Sequence, residues 1–119
     1  MFRFEKLDVW HRAVEFADLV YSLTRRFPTE ERFGLTSQMR RASVSISSNI
    51  AEGSGRVSDG DFGRCIEISY GSLMEVVSQA QFAQRQDLLS IEDDNEPKQK
   101  AEELARMLSG LKAKLISSS

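Results

Sequence analysis

Residues 40–53 of this chain are Arg40-Arg41-Ala42-Ser43-Val44-Ser45-Ile46-Ser47-Ser48-Asn49-Ile50-Ala51-Glu52-Gly53. Most of these side chains are small or polar, whereas the other segments with helical periodicity carry large apolar residues at regular spacing. The side chains at a contact set how closely two helices can approach, and small ones allow the closest approach. The stretch therefore predicts a helix that is packed on more than one side.

Four segments of the chain repeat an apolar or small residue every three or four positions, which is typical of helices that pack in a bundle. The first two repeats comprise Val9, Ala13, Phe16, Val20, Leu23 and Phe27, and then Leu35, Met39, Ala42, Ile46, Asn49 and Gly53. The third comprises Phe62, Ile66, Ser69, Leu73, Val77, Ala80 and Gln84. The fourth comprises Ala101, Leu104, Leu108, Leu111 and Leu115.

The predicted helices lie at about residues 8–26, 30–53, 58–86 and 95–116. Asp8 and Thr29 are the expected caps of the first two, Phe27-Pro28 ends the first, and the acidic segment from Leu88 to Glu96 is expected to be a turn before the fourth. Ser58 with Asp61 three residues later is the clearest helix start, and Val57 and Phe62 occupy the positions of a hydrophobic staple. Residues 117–119 are expected to form a frayed tail. No segment alternates with period two, so we expect no strands. Short connections between four helices predict a single all-α domain over residues 1–119, an antiparallel up-down-up-down four-helix bundle.

Composition limits the class of protein. The chain has 119 residues, a net charge of −2, and 40% hydrophobic and 29% charged residues, values typical of one globular domain. Residues 1–57 contain nine Lys or Arg and seven Asp or Glu, whereas residues 58–119 contain seven Lys or Arg and eleven Asp or Glu. The surplus of basic residues is therefore confined to the first half of the chain. The single cysteine, Cys65, fits a reducing compartment. The first residues lack the apolar core of a signal peptide, and no apolar run approaches the ~20 residues that span a bilayer. We therefore predict a cytoplasmic protein with no membrane partner.

The sequence offers no pattern of catalytic or cofactor-binding residues. His11 is the only histidine, which leaves too few ligands for the common Cys/His and two-histidine metal sites. Cys65 lies beside an apolar stripe and is expected to be an inert packed thiol. The glycines near residues 53–63 mark helix boundaries rather than a phosphate-binding loop. We expect no catalytic, metal or cofactor site, no small-molecule substrate, and no polar pocket with a perturbed titratable group.

One cluster of basic residues could contact phosphates. Arginine binds phosphate through two parallel hydrogen bonds, and such contacts are salt-sensitive and select weakly for sequence. The alternative is a solvated face, or salt bridges to Glu30, Glu31 and Glu52. The candidate nucleic-acid-binding residues are Arg25, Arg26, Arg40, Arg41 and Arg56.

A second set of small and polar residues is a candidate packing or interface signature. Asn49 would either specify assembly through a buried hydrogen bond, as asparagine does in coiled coils, or make a capping or cross-helix bond within one subunit. Glycine inside a helix costs about 1 kcal/mol relative to alanine, so Gly71 suggests a close neighbour, either in the same bundle or in another subunit. The set comprises Ser45, Ser48, Asn49, Glu52, Gly53, Gly71 and Ser72.

Several of these residues carry a resemblance to a known family. The segments Leu7-Asp8-Val9-Trp10, Ser48-Asn49-Ile50-Ala51-Glu52-Gly53 and Gly71-Ser72-Leu73-Met74-Glu75 resemble the four-helix-bundle proteins encoded in intervening sequences of bacterial 23S ribosomal RNA genes. Ser47 and Tyr70 depart from the usual proline and alanine of that family. The resemblance implies an antiparallel bundle that assembles as a ring-shaped homopentamer. It also implies similarity to the retroelement accessory variability determinant protein, a pentamer that binds nucleic acid.

Taken together, these features favour a non-enzymatic, oligomeric helical-bundle protein that acts as a binding or scaffolding module. The alternative is RNA or ribonucleoprotein binding through arginines displayed on a pentameric ring. The family has no established biochemical activity, so the resemblance bears on the fold and leaves the function open.

Overall fold

The computed structural model describes residues 1–118, and these form an all-α protein without strands, as predicted. Its four α-helices are α1 (Asp8–Thr24), α2 (Leu35–Ser54), α3 (Asp59–Arg85) and α4 (Ile91–Ser118). Short 3-10 helices cover Arg3–Lys6 and Thr29–Glu31. Helix α4 includes the first two residues of the expected tail, and Ser119 lies outside the described residues. No helix in this part of the chain is long and apolar enough to cross a membrane.

All four helices contribute side chains to one hydrophobic core. The repeat predicted for α1 is buried along its whole length, from Val9 to Phe27. In α2 the repeat fails at Asn49, which is only half-buried, and the core position is taken by Ile50 with 0% exposure. A straight helix drifts by about 20° per heptad relative to a strict seven-residue repeat, so the buried stripe moves to the adjacent position.

The connection between α1 and α2 is longer than the sequence predicts. Helix α2 begins at Leu35 and not near residue 30, because Thr29 makes no capping hydrogen bond and its segment forms a separate 3-10 turn. Gly34, the residue before α2, has backbone dihedral angles outside the helical range, with φ −111° and ψ −113°. Glu31 Oε1 instead accepts a hydrogen bond of 3.4 Å from the Leu35 backbone N–H.

The start of α3 agrees with the predicted cap, whereas the predicted hydrophobic staple is absent. Ser58 Oγ accepts a hydrogen bond of 3.1 Å from the Asp61 backbone N–H. Val57 is fully exposed, so it does not pack against Phe62.

Helix α4 begins at Ile91, four residues before the predicted start. Ser90 Oγ accepts a hydrogen bond of 3.0 Å from the Asp93 backbone N–H, and three acidic residues occupy the first turn, where the helix dipole favours negative charge. Pro97 lies inside the helix rather than at its first position. Helix α4 thus continues through Pro97, although the proline removes one backbone hydrogen bond, and the capping serine and first-turn acids stabilise its start.

Candidate functional site

Arg40, the most buried of the five candidate arginines, joins α2 to α1. Its Nε donates a hydrogen bond of 2.8 Å to Thr24 Oγ1, and Nη2 lies 3.4 Å from the backbone oxygen of Tyr21. Its guanidinium carbon lies 4.5 Å from the centroid of the Tyr21 ring. These contacts occupy the guanidinium within the chain, so Arg40 is poorly placed to contact a phosphate.

Three other candidate arginines lie close to these contacts. Arg25 and Arg26 directly follow Thr24, and Arg41 follows Arg40 on α2. All three side chains are exposed, and Arg26 pairs with Asp93 at 3.3 Å. Within residues 1–118, neither Arg25 nor Arg41 forms an ion pair or a side-chain hydrogen bond. The two are therefore available to an external anion.

Arg56 lies apart from this group. It follows the far end of α2, which at 1.5 Å per residue lies about 21 Å along the helix axis from Arg40. Its Nη2 donates a hydrogen bond of 2.6 Å to Glu52 Oε1, the salt bridge that the sequence offers as the alternative to phosphate binding. This bond raises the pKa of Arg56 above its ordinary value. The five candidate arginines thus do not form one continuous surface.

The polar residues of the packing signature connect α2 to α3. Asn49 Nδ2 donates to the backbone oxygen of Ser45 at 2.8 Å and to Ser45 Oγ at 3.0 Å. Ser45 Oγ in turn shares a hydrogen bond of 2.9 Å with Ser72 Oγ on α3. The amide nitrogen of Asn49 thus donates within its own helix, which is neither the capping nor the cross-helix bond expected within one subunit. A role of Asn49 in assembly stays a prediction.

Gly53 lies at the closest approach of α2 and α3. A Cβ atom added at Gly53 would stand 2.7 Å from Cys65 Cβ and 2.8 Å from Phe62 Cδ1. Such contacts are too short for carbon atoms, so the position accepts only glycine unless a helix moves. Gly53 also lies inside α2 and is followed by Ser54 as the last helical residue, so it packs against α3 rather than ending the helix.

The remaining signature residues lie on the outer side of the α2–α3 pair. Ser48, Glu52 and Gly71 are exposed, and a Cβ atom added at Gly71 would meet nothing within 4 Å. Ile68 and Phe82 share the face of α3 that carries Gly71, and their side chains are 55% and 54% exposed. Packing within one chain therefore gives no reason for the glycine at position 71.

A cleft that the sequence analysis does not predict lies where the start of α4 meets α1 and the end of α3. Its volume is about 700 Å³, and its walls include Phe16, Val20, Ala80 and the side chain of Asp94. Asp94 is 7% exposed, and its Oδ2 accepts a hydrogen bond of 2.6 Å from Gln84 Nε2. Desolvation raises the pKa of Asp94, while the bond from Gln84 and the charge of Lys98 lower it by less.

This buried carboxylate is not anticipated from the sequence, but the walls of the cleft are mainly apolar, so the expectation of no polar pocket stays a prediction. In the sequence, Asp94 is one of several acids in a segment expected to be an exposed turn, and its burial depends on tertiary packing. The sequence gives one weak signal for the burial of Asp94, namely its position three residues before Pro97, which is also buried in α4. Among residues 1–118, no three His, Cys, Asp or Glu side chains form a group that could hold a metal ion.

Comparison with known proteins identifies the family. The model of the 23S rRNA-intervening sequence protein family matches residues 5–110, which include α1, α2 and α3 and most of α4. No curated protein matches the chain. The matched region contains the arginines, the packing signature and the cleft described above. The resemblance read from the sequence motifs is thus confirmed, and the chain belongs to the 23S rRNA-intervening sequence protein family.

Proposed function

We propose that this protein is a cytosolic, non-enzymatic binding or scaffolding module. In this proposal its helices form an antiparallel up-down-up-down bundle, and five copies assemble as a ring. The assembly contact is the outer α2–α3 surface, which we define as Ser48, Glu52, Ile68, Gly71 and Phe82. One observation carries the proposal, namely the exposed glycine in the middle of α3.

Contacts between consecutive helices support the antiparallel arrangement. Ser69 Oγ donates a hydrogen bond of 2.8 Å to the backbone oxygen of Ile46, and Ser72 bonds to Ser45. Gly53 approaches Phe62. Residue numbers thus rise on α3 as they fall on α2, which is the pairing expected of neighbouring helices with opposite directions.

The surroundings of Gly71 support assembly through this surface. Glycine inside a helix costs about 1 kcal/mol relative to alanine. No other part of the described chain lies within 4 Å of the position that a Cβ atom of Gly71 would occupy. Gly110 on α4 is equally free of neighbours, with exposed Arg106 and Lys114 four residues to either side. Gly71 has exposed Glu67 and Glu75 at that spacing, but exposed Ile68 and Met74 lie three residues to either side of it. A glycine beside apolar side chains allows a second helix to approach the backbone.

The experiment is light scattering after size-exclusion chromatography at micromolar concentration. A pentamer of the 13.5 kDa chain has a mass of about 68 kDa, five times the monomer. Gly71→Arg is expected to release monomers, whereas Gly110→Arg, which adds the same group to an exposed glycine on α4, leaves the mass unchanged. A monomeric wild-type protein would refute the assembly. A pentamer that survives Gly71→Arg would refute the proposed surface.

A second candidate function is RNA or ribonucleoprotein binding through the ring. The free and exposed guanidinium groups of Arg25 and Arg41 favour it, because five copies would present ten such groups on one assembly. Binding of this kind depends steeply on salt, since each phosphate contact releases a counterion. Arg40 and Arg56 are omitted from the tested set because Thr24 and Glu52 bind them.

The test crosslinks the protein to RNA in its own cells and sequences the recovered RNA. The variant Arg25→Ala/Arg41→Ala is expected to lose the enriched RNAs. The control Arg106→Ala/Lys114→Ala removes the same charge from exposed positions of α4 and is expected to retain them. Recovery at background level for the wild type would refute RNA binding and leave a protein scaffold.

A further inference from the structure

The cleft beside the start of α4 has the size and composition of a small-molecule site. Ligand pockets typically enclose about 300–1,000 Å³ and combine apolar walls with a few polar groups, and this cleft encloses about 700 Å³. Side chains from all four helices reach it, and most are apolar. The apolar lining includes Phe16, Val20, Met39, Val77, Ala80 and Pro97.

Asp94 is the only buried charged side chain that lines this cleft. The other charged residues of the lining, Arg85, Asp87 and Lys98, are exposed and lie at its rim. Gln84 donates to Oδ2 of Asp94, and no group of residues 1–118 donates to Oδ1. No cationic side chain of the described chain lies within ion-pair distance of Asp94, and the exposed Lys98 acts on its carboxylate only from farther away.

A buried carboxylate without a cation in direct contact is costly, because burial removes the water that would solvate its charge. Desolvation accordingly raises the pKa of Asp94 by more than Lys98 lowers it. A bound cation would supply a direct charge partner, and charge-assisted hydrogen bonds are stronger than neutral ones. The apolar walls at the same time favour a ligand with a hydrocarbon body.

We propose that this cleft binds a small amphipathic amine, whose ammonium group pairs with Asp94 and whose apolar part contacts Phe16 and Ala80. The site is separate from the outer α2–α3 surface and from the exposed arginines, so it does not depend on the proposed function. An alcohol of the same shape lacks the positive charge, and a carboxylate of the same shape brings a second negative charge. Both are therefore disfavoured relative to the amine.

The test titrates the protein with phenethylamine at neutral pH and follows methyl groups of the cleft by NMR. The wild type is expected to bind phenethylamine more tightly than 2-phenylethanol or phenylacetate. Asp94→Asn is expected to weaken amine binding by about tenfold or more, the loss of one charge-assisted bond. Asp93→Asn is the matched control, because its carboxylate pairs with Arg26 at 3.3 Å and does not line the cleft.

A second variant keeps the test informative if Asp94→Asn changes the fold. Val77 lines the cleft and is half-buried, so Val77→Trp places an indole into it and is expected to abolish amine binding. Equal binding by the wild type and Asp94→Asn would overturn the proposal. So would failure of phenethylamine to bind, or dissociation of an oligomer by Val77→Trp, which would make the cleft a contact between copies of the chain.

Discussion

Gly53→Ala tests whether α2 and α3 approach as closely as the structure indicates. The added methyl group would lie 2.7 Å from Cys65 Cβ and 2.8 Å from Phe62 Cδ1, whereas nonbonded carbon atoms prefer about 3.5–4.0 Å. Cys65 Cβ is attached directly to the backbone of α3, so it cannot turn aside as the end of a long side chain could. Phe62 is 1% exposed and is held by the core. The two helices would have to separate.

Two opposing effects set the size of the change. Overpacking of a filled core costs about 1–3 kcal/mol. Alanine in place of glycine inside a helix regains about 1 kcal/mol. The clash is the larger effect because its nearest atom is fixed, and we expect a net loss of up to about 2 kcal/mol in the free energy of unfolding. For a chain of this length that loss lowers Tm by up to about 8 °C.

The assay is urea denaturation of wild type, Gly53→Ala and Gly110→Ala at one protein concentration, because assembly would couple stability to concentration. Gly110 is an exposed helical glycine with no atom within 4 Å of an added Cβ. Its alanine variant is expected to gain about 0.5–1 kcal/mol. Opposite signs for the two variants support the close approach. A Gly53→Ala protein as stable as Gly110→Ala would refute it.

Three further substitutions test individual contacts. Asp94→Asn removes an acid whose pKa is raised on folding, so the folded state binds a proton more tightly than the unfolded state does. The free energy of unfolding of the wild type is therefore expected to fall relative to that of Asp94→Asn as pH rises from 3.8, the ordinary pKa, through the raised pKa. A difference between the two urea midpoints that stays constant with pH would contradict this. Arg40→Ala is expected to lower the free energy of unfolding by about 1–2 kcal/mol through its lost contacts with Thr24 and Tyr21. The control, exposed Arg41→Ala, is expected to lower it by less than about 0.5 kcal/mol. Thermal unfolding measures both, and equal losses would argue against the Arg40 contacts. Ser69→Ala is expected to cost about 1 kcal/mol by removing the 2.8 Å bond to the Ile46 backbone oxygen. The control is Ser47→Ala, whose bond to Val44 lies within one helix, and a loss in the control as large as that in Ser69→Ala would refute a special contribution from Ser69.

The all-α fold and most of the core could be predicted from the sequence, because both depend on local order along the chain. The repeat from Val9 to Phe27 follows the helical period, and burial of one face of an amphipathic helix follows from that period. Ser58 capped α3 as predicted, because its Oγ and the Asp61 N–H are neighbours in any helix that begins there. The predicted starts of α2 and α4 are wrong, because Thr29 makes no cap and because the acidic segment before residue 95, expected to be a turn, belongs to α4. A capping residue or an acidic stretch admits more than one local arrangement.

The roles of individual small, basic and acidic residues were decided only by the tertiary structure. A glycine shows that a neighbour could approach, but only the packed helices distinguish Gly53, pressed against α3, from Gly71, which faces no atom of its own chain. Arg40 and Arg41 are adjacent in sequence, yet a helix turns about 100° per residue and directs one toward α1 and the other to solvent. Asp94 is buried in the packed structure, and its hydrogen bond from Gln84 joins residues on different helices. Local sequence thus determined which segments are helical and which face each one buries, whereas contacts between distant segments determined which polar side chains remain free to bind.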